Sequence, residues 1–206
     1  MKKKKKQQLR TKLLVGAAGV GAAGAALSCG VIHAMSSLAT NRKLPAYGKL
    51  VNVSGGKEDK SFNARRDQAA KALAETPAET VTIQSFDGLE LVGHLVTCQN
   101  PQRLILAFHG WRSNWARDFC MVAPFWQEQH CNVLYVEQRA QGGSQGKYMG
   151  FGLLERKDCL SWAQWADSQD FGLPIYLSGI SMGATTVLMA AGEDLPASVR
   201  GIQADC

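Results

Sequence analysis

The segment Leu173–Met189 reads LPIYLSGISMGATTVLM. Within it Ser181 stands two residues after Gly179 and two before Gly183, directly after an apolar run and directly before a helix-like one. G-x-S-x-G alone is a weak signal in a chain of 206 residues with 21 glycines. Its position between two elements gives it weight. At a sharp strand-to-helix corner a serine takes a strained backbone conformation that holds its hydroxyl clear of the sheet edge, and the residues two before and two after it must lack side chains to avoid collision. The following helix aims unpaired N–H groups and the positive end of its dipole at the place where an oxyanion would develop. The chemistry implied is attack on a carbonyl. A hydroxyl is a poor nucleophile unless an imidazole takes its proton, and the imidazole needs a carboxylate to fix its tautomer.

The other chemistry-bearing residues are fewer. Four histidines occur, at 33, 94, 109 and 130, and none follows Ser181. The acids that do follow it are Glu193, Asp194 and Asp205. Six cysteines (29, 98, 120, 131, 159, 206) form no C-x-x-C pair and no metal spacing, so they read as small buried apolar groups, and neither a metal nor a cofactor is implied. The GGSQG stretch from Gly142 to Gly146 superficially resembles a phosphate loop, but it lacks the following Lys-Ser/Thr and reads as a surface turn.

The elements that must hold these residues alternate regularly. ETVTIQSF and LELVGHLVT flank Asp87-Gly88, a hairpin signal. RLILAF (Arg103 to Phe108) is a buried-strand run, followed by HGWRSN and a helix around Trp115 to Gln129. Next come the strand CNVLYVEQR, the loop AQGGSQGKYMG and a helix from about Phe151 to Ser168, on which Trp162, Trp165 and Leu154 are expected to face the sheet. Asp158 lies on the same stripe, where it either pairs with Arg139 or stays solvated. LPIYLSG, MGATTVLMAAG and VRGIQAD complete six strands. The alternation suits right-handed crossovers, so a mostly parallel α/β sheet with helices on both faces is expected after the opening hairpin.

The net charge of +6 belongs to one end of the chain. Lys2 to Lys6, Arg10 and Lys12 supply seven positives, which leaves −1 for the rest and argues against a nucleic-acid partner. After this basic tail (1–12), Leu13 to Ile32 carries no charge over twenty residues, long enough to cross a bilayer as a helix. A signal anchor over 13–35 is expected, a membrane partner with the N-terminus cytoplasmic and the remainder outside; secretion after signal cleavage is the alternative. The residues before Cys29 fit a lipidation signal poorly. Residues 36–78, broken by Pro45, Ser54-Gly55-Gly56 and Pro77, read as a spacer holding one amphipathic helix near Asn63 to Ala74.

HGW after one buried strand, VEQRAQGGSQG after the next and GISMG after the third resemble, in order, the signatures of the α/β-hydrolase superfamily. SFDGLELVGHLV resembles the opening hairpin of its bacterial membrane-anchored members, related to serine aminopeptidases and esterases. The resemblance covers about Glu79 to Asp205. It implies Ser181 as nucleophile, an oxyanion hole from the backbone N–H groups of Met182 and Trp111, and His109, Gly110, Gly179 and Gly183 as residues that shape the site. It also implies a small-molecule or peptide substrate.

The chain departs from that pattern in three places. Where an Asp-x-Arg-Gly-His-Gly loop is usual, Glu137, Gln138, Arg139, Ala140, Gln141 and Gly142 stand, so altered packing beside the site is expected. No histidine follows Ser181, and Asp205 is a weak candidate for the acid. Six strands stand in place of the family's eight. The 79–206 region is therefore expected to be the N-terminal portion of a hydrolase domain, incomplete at its C-terminus. Two functions follow: a membrane-anchored serine hydrolase of esters, thioesters or peptides whose acid and histidine lie outside this chain, or a truncated, catalytically silent relative.

Overall fold

In a computed structural model of the chain, residues 27–44 and 60–206 are described. The basic tail, most of the expected anchor and residues 45–59 of the expected spacer lie outside the described residues. Among those described, no helix is long and apolar enough to cross a membrane.

The hairpin forms where Asp87-Gly88 predicts it. Gly88 takes a φ of +80°, while the Ser85 hydroxyl donates to Asp87 Oδ1 (2.6 Å) and accepts from the Leu89 N–H (2.8 Å). These bonds join β1 (Glu79–Gln84) to β2 (Glu90–Val96), antiparallel. β2 pairs antiparallel with β4 (Cys131–Val136); β3 (Arg103–Phe108), β5 (Ile175–Ile180) and β6 (Val199–Asp205) then extend the sheet in parallel, in the order β1-β2-β4-β3-β5-β6. Their continuous apolar runs follow from this placement, since a central parallel strand is buried on both faces.

Alternation within the strands splits the core into two layers. Leu104, Leu106, Phe108, Leu134 and Val136 face α5 (Glu155–Ser168) and α6 (Met182–Ala190), where Trp162 and Val187 are fully buried. Ile105, Ala107, Val133 and Tyr135 face the opposite side, against α2 (Lys60–Ala74), α3 (Trp115–Phe119) and α4 (Ala123–Glu128) through Leu73, Phe119 and Trp126. Helices thus cover both faces.

Two expectations need correction. The helix expected from Trp115 to Gln129 is two helices, because Pro124 has no N–H to continue the ladder and favours the start of a new helix. Leu154 does not join Trp162 in the core; it lies just before α5 and is exposed, while Trp165 is partly buried. The GGSQG stretch is a turn with Gly143 and Gln145 exposed, and it is anchored from within, for Ser144 is fully buried, accepts from the Val92 N–H (2.8 Å) and donates to the Glu137 carbonyl (2.5 Å).

The N-terminal helix α1 (residues 27–40) exposes Leu27, Val31, Ile32 and Met35 along its length. Its C-terminal end docks on the domain. Asn41 bridges to Tyr148, the Met149 N–H donates to the Thr40 carbonyl (2.7 Å), and the Arg42 N–H donates to the Lys147 carbonyl (2.8 Å). Residues 38–42, expected to be spacing, thus pack against loops at the edge of the sheet where β3, β4 and β5 end.

Candidate active site

β5 ends at Ile180 and α6 begins at Met182, so Ser181 makes the whole turn by itself, at φ +53° and ψ −116°. That conformation is costly for any residue with a Cβ, on the order of 1–3 kcal/mol, and it leaves the serine exposed. Its N–H donates to the Asp205 carbonyl (2.7 Å), which fixes the elbow to the end of β6. The flanking glycines are steric requirements. A Cβ on Gly183 would lie 1.8 Å from the Phe108 carbonyl oxygen, and one on Gly179 would lie 2.1 Å from the Gly183 carbonyl oxygen. Close contact of α6 with β3 and β5 therefore depends on both.

The loop after β3 lies against the elbow. A Cβ on Gly110 would stand 3.3 Å from Ser181 Cβ. The Gly110 N–H donates to Asp118 Oδ2 (2.7 Å) and the Ser113 hydroxyl to Asp118 Oδ1 (2.5 Å), so one carboxylate pins the loop. No acceptor among the described residues takes the Trp111 or Met182 backbone N–H. Met182, Met149 and Ala140 form a small buried apolar cluster against Trp111, and the Phe151 ring lies 6.3 Å from the Trp111 ring.

His109 is not poised as a base. It is almost wholly buried, and both its ring nitrogens are engaged: Nδ1 lies 2.8 Å from the Gly110 carbonyl, and Nε2 accepts from the Gln138 N–H (3.3 Å). This assigns the proton to Nδ1. Burial holds the imidazole below its ordinary pKa, hence neutral. Gln138 completes the support, its amide donating to the His109 carbonyl and accepting from the Thr186 hydroxyl (2.7 Å). One buried side chain thus ties β3, the loop after β4 and α6 together.

The other candidates lie apart in role. His94 bonds Glu137 Oε1 through Nε2 (2.9 Å) and stacks on Trp115 at 4.9 Å. Burial opposes the Glu137 charge, but the bonds from His94 and the Gly143 N–H outweigh it and hold the carboxyl below its usual range. His33 and His130 are exposed. Glu193 pairs with Arg156 (3.1 Å) and Asp194 is exposed. Asp205 contributes its carbonyl to the elbow, while its exposed carboxylate bonds no described residue.

The altered loop after β4 has its own anchor. Arg139, 2% exposed, grips Asp158 in bidentate fashion (2.5 and 2.6 Å), reaches both oxygens of Asp87 (3.1 Å each), and lies 4.9 Å over the Phe86 ring. The pairing reading of Asp158 is the one observed. Burial opposes the guanidinium charge, but the two carboxylates outweigh it and hold Arg139 more firmly charged than usual. Ala140 and Gly142 turn the loop at φ +59° and +52°. Among the described residues, no cluster of three or more His, Cys, Asp or Glu is placed to hold a metal, and all six cysteines are free.

Sequence reasoning missed Asp118, Gln138 and the contacts of α1. Asp118 lies one turn into α3, and a capping Asn114 was its only local signal. Gln138 has no local signal, because its partners are 29 and 48 residues away.

No protein-family model matches the chain, and no curated protein does. Solved structures do. The esterase Pf2001 of Pyrococcus furiosus is 27% identical, with a TM-score of 0.53 over 60% of this chain and 49% of that one. The alpha/beta hydrolase GrgF from a Penicillium species is 20% identical, with a TM-score of 0.52 over 61% of this chain and 44% of that one. The esterase EaEST of Exiguobacterium antarcticum is 20% identical, with a TM-score of 0.51 over 60% and 44%. The chain spans about half the length of the first of these structures. These likenesses establish an α/β-hydrolase fold for the described domain.

Proposed function

We propose that Ser181 is the nucleophile of a serine hydrolase acting on a small-molecule ester, with thioesters and peptides as the other bonds open to the same chemistry. The observation that carries this reading is the elbow: a serine at φ +53° between two glycines whose side-chain space is filled by backbone. In the reading, the hydroxyl oxygen attacks the carbonyl carbon and the carbonyl oxygen becomes an oxyanion. The Met182 and Trp111 N–H groups receive it, Met182 with the help of the α6 dipole. The Pyrococcus furiosus likeness, an esterase at 27% identity, supports the ester class.

The base and acid of the triad are the incomplete part. His109 is committed to its loop and His94 to Glu137, so this reading assigns the imidazole and the acid to residues outside these 206, with Asp205 as the alternative acid. We place the domain outside the membrane, held by the segment 13–35.

A fluorophosphonate probe applied to membranes that contain the full-length protein tests the chemistry. A single adduct on the Ser181 peptide, absent in Ser181→Ala, is the expected result. If other serine hydrolases in the sample are labelled and this protein is not, the silent-relative reading replaces it. Intact-mass measurement of the mature N-terminus tests the anchor, which is lost if the chain begins after Ser28.

A further inference from the structure

Two guanidinium groups share one pocket beside the oxyanion loop, and among the described residues neither bonds a carboxylate. Arg42, just past α1, and Arg112, one residue beyond Trp111, line a cavity of about 380 Å³ together with Ser113, Gln141 and Met149. Among the described residues, the Arg42 guanidinium donates to the Ser144 and Gly142 carbonyls alone (2.5 and 2.6 Å). Among the described residues Arg112 donates to the carbonyls of Leu38, Asn41 and Arg42 (3.0, 2.6 and 3.4 Å), and its buried Nε finds no hydrogen-bond partner there. The neighbouring acids are committed elsewhere, Asp118 to Gly110 and Ser113, Glu137 to His94 and Gly143. Carbonyls orient a guanidinium but do not neutralise it, and burial alone accounts for the lowered pKa of Arg112.

The same wall holds a second anomaly. Gln141 is 7% exposed, and among the described residues neither its amide oxygen nor its amide nitrogen has a hydrogen-bond partner. Arg112 also lies over the Trp111 ring at 5.2 Å, which orients the cation without neutralising it. Buried amides are nearly always paired, so an unpaired one beside two cations that bond no described carboxylate marks a place for a polar group.

We propose that this pocket binds an oxyanion, a carboxylate or phosphate, held by Arg42 and Arg112 with the Gln141 amide donating to it. Guanidinium forks match the geometry of both anions. The pocket adjoins the Ser181 site, because Ala140 and Met149 line it and also pack with Met182 and Trp111. Its anion is therefore either free in solution or the acidic end of the molecule whose carbonyl lies at Ser181; the second source rests on the hydrolase reading, the pocket itself does not.

Calorimetric titration of the full chain with inorganic phosphate at constant ionic strength tests the pocket. Saturable binding is expected, weakened about tenfold or more in Arg112→Gln and in Gln141→Leu and unchanged in Ser181→Ala. Gln141→Leu serves as the second variant because Arg112 also holds α1, and circular dichroism confirms that each is folded. Absence of saturable binding, or binding by both pocket variants as tight as that of the parent chain, overturns the proposal. The source is read from esters with neutral and carboxylate-ended acyl chains. A lower KM for the acidic ester, lost in Gln141→Leu, assigns the anion to the substrate; equal KM values assign it to a free anion. If fluorophosphonate labelling of Ser181 fails, the phosphate result still stands, so the two readings fail separately.

Discussion

At the scale of single residues, the elbow makes a stability prediction independent of catalysis. Ser181 holds a conformation that glycine adopts without strain, so Ser181→Gly should be more stable than Ser181→Ala by about 1 kcal/mol, read from the midpoints of denaturant unfolding. An alanine variant more stable than the glycine one would mean the turn stores no strain. His109 gives a pH prediction. Its folded pKa lies below the unfolded value of about 6.5, so its contribution is fully present above that pH and is lost as pH falls toward the folded pKa. Unfolding free energy should decline below about pH 6.5 by up to roughly 1.4 kcal/mol per pH unit from this one proton, and His109→Gln should flatten that limb. An unchanged slope in the variant would place the titration elsewhere. The serine and its glycines were legible because steric demand at one corner is local. Gln138 was not, because a buried amide is defined by partners that only the fold brings to it.

Among elements, α1 is the piece whose role the sequence concealed. A charged, proline-broken stretch reads as spacing, yet Trp111 Nε1 donates to the Ala39 carbonyl (2.8 Å) and Arg112 caps the carbonyls at the end of the helix. The loop that carries the Trp111 N–H is thereby tied to the segment leading from the expected anchor. Trp111→Phe removes one such bond while keeping an aromatic ring. It should cost about 1 kcal/mol and raise amide exchange across residues 109–113 and 38–42 together. Faster exchange in one segment without the other would show that they are not coupled. The split of the expected 115–129 helix was legible in hindsight, since Pro124 was in plain view, but helical periodicity runs through a proline and masks the break.

For the molecule as a whole, β6 is an edge of the sheet among the described residues, and it is half open. Tyr176 and Ile202 lie exposed on neighbouring strands β5 and β6 beside a cavity of about 490 Å³ bordered also by Phe125. An unpaired apolar edge invites pairing with another chain. Soluble preparations of residues 60–206 should therefore self-associate with concentration, and Ile202→Lys should shift them toward monomer in sedimentation. Monomers at every concentration would show that the edge is protected. The mostly parallel sheet after an opening hairpin, the Gly-flanked corner at Ser181 and the basic N-terminus were determined by the sequence alone, because apolar period, glycine spacing and charge runs act over a few residues. The commitment of His109, the Arg139 grip on Asp158 and Asp87, the docking of residues 38–42 and the meeting of Arg42 and Arg112 beside the unbonded Gln141 amide were decided only by tertiary structure. Each depends on which distant groups share a low-dielectric space, and that is set by packing rather than by neighbours along the chain.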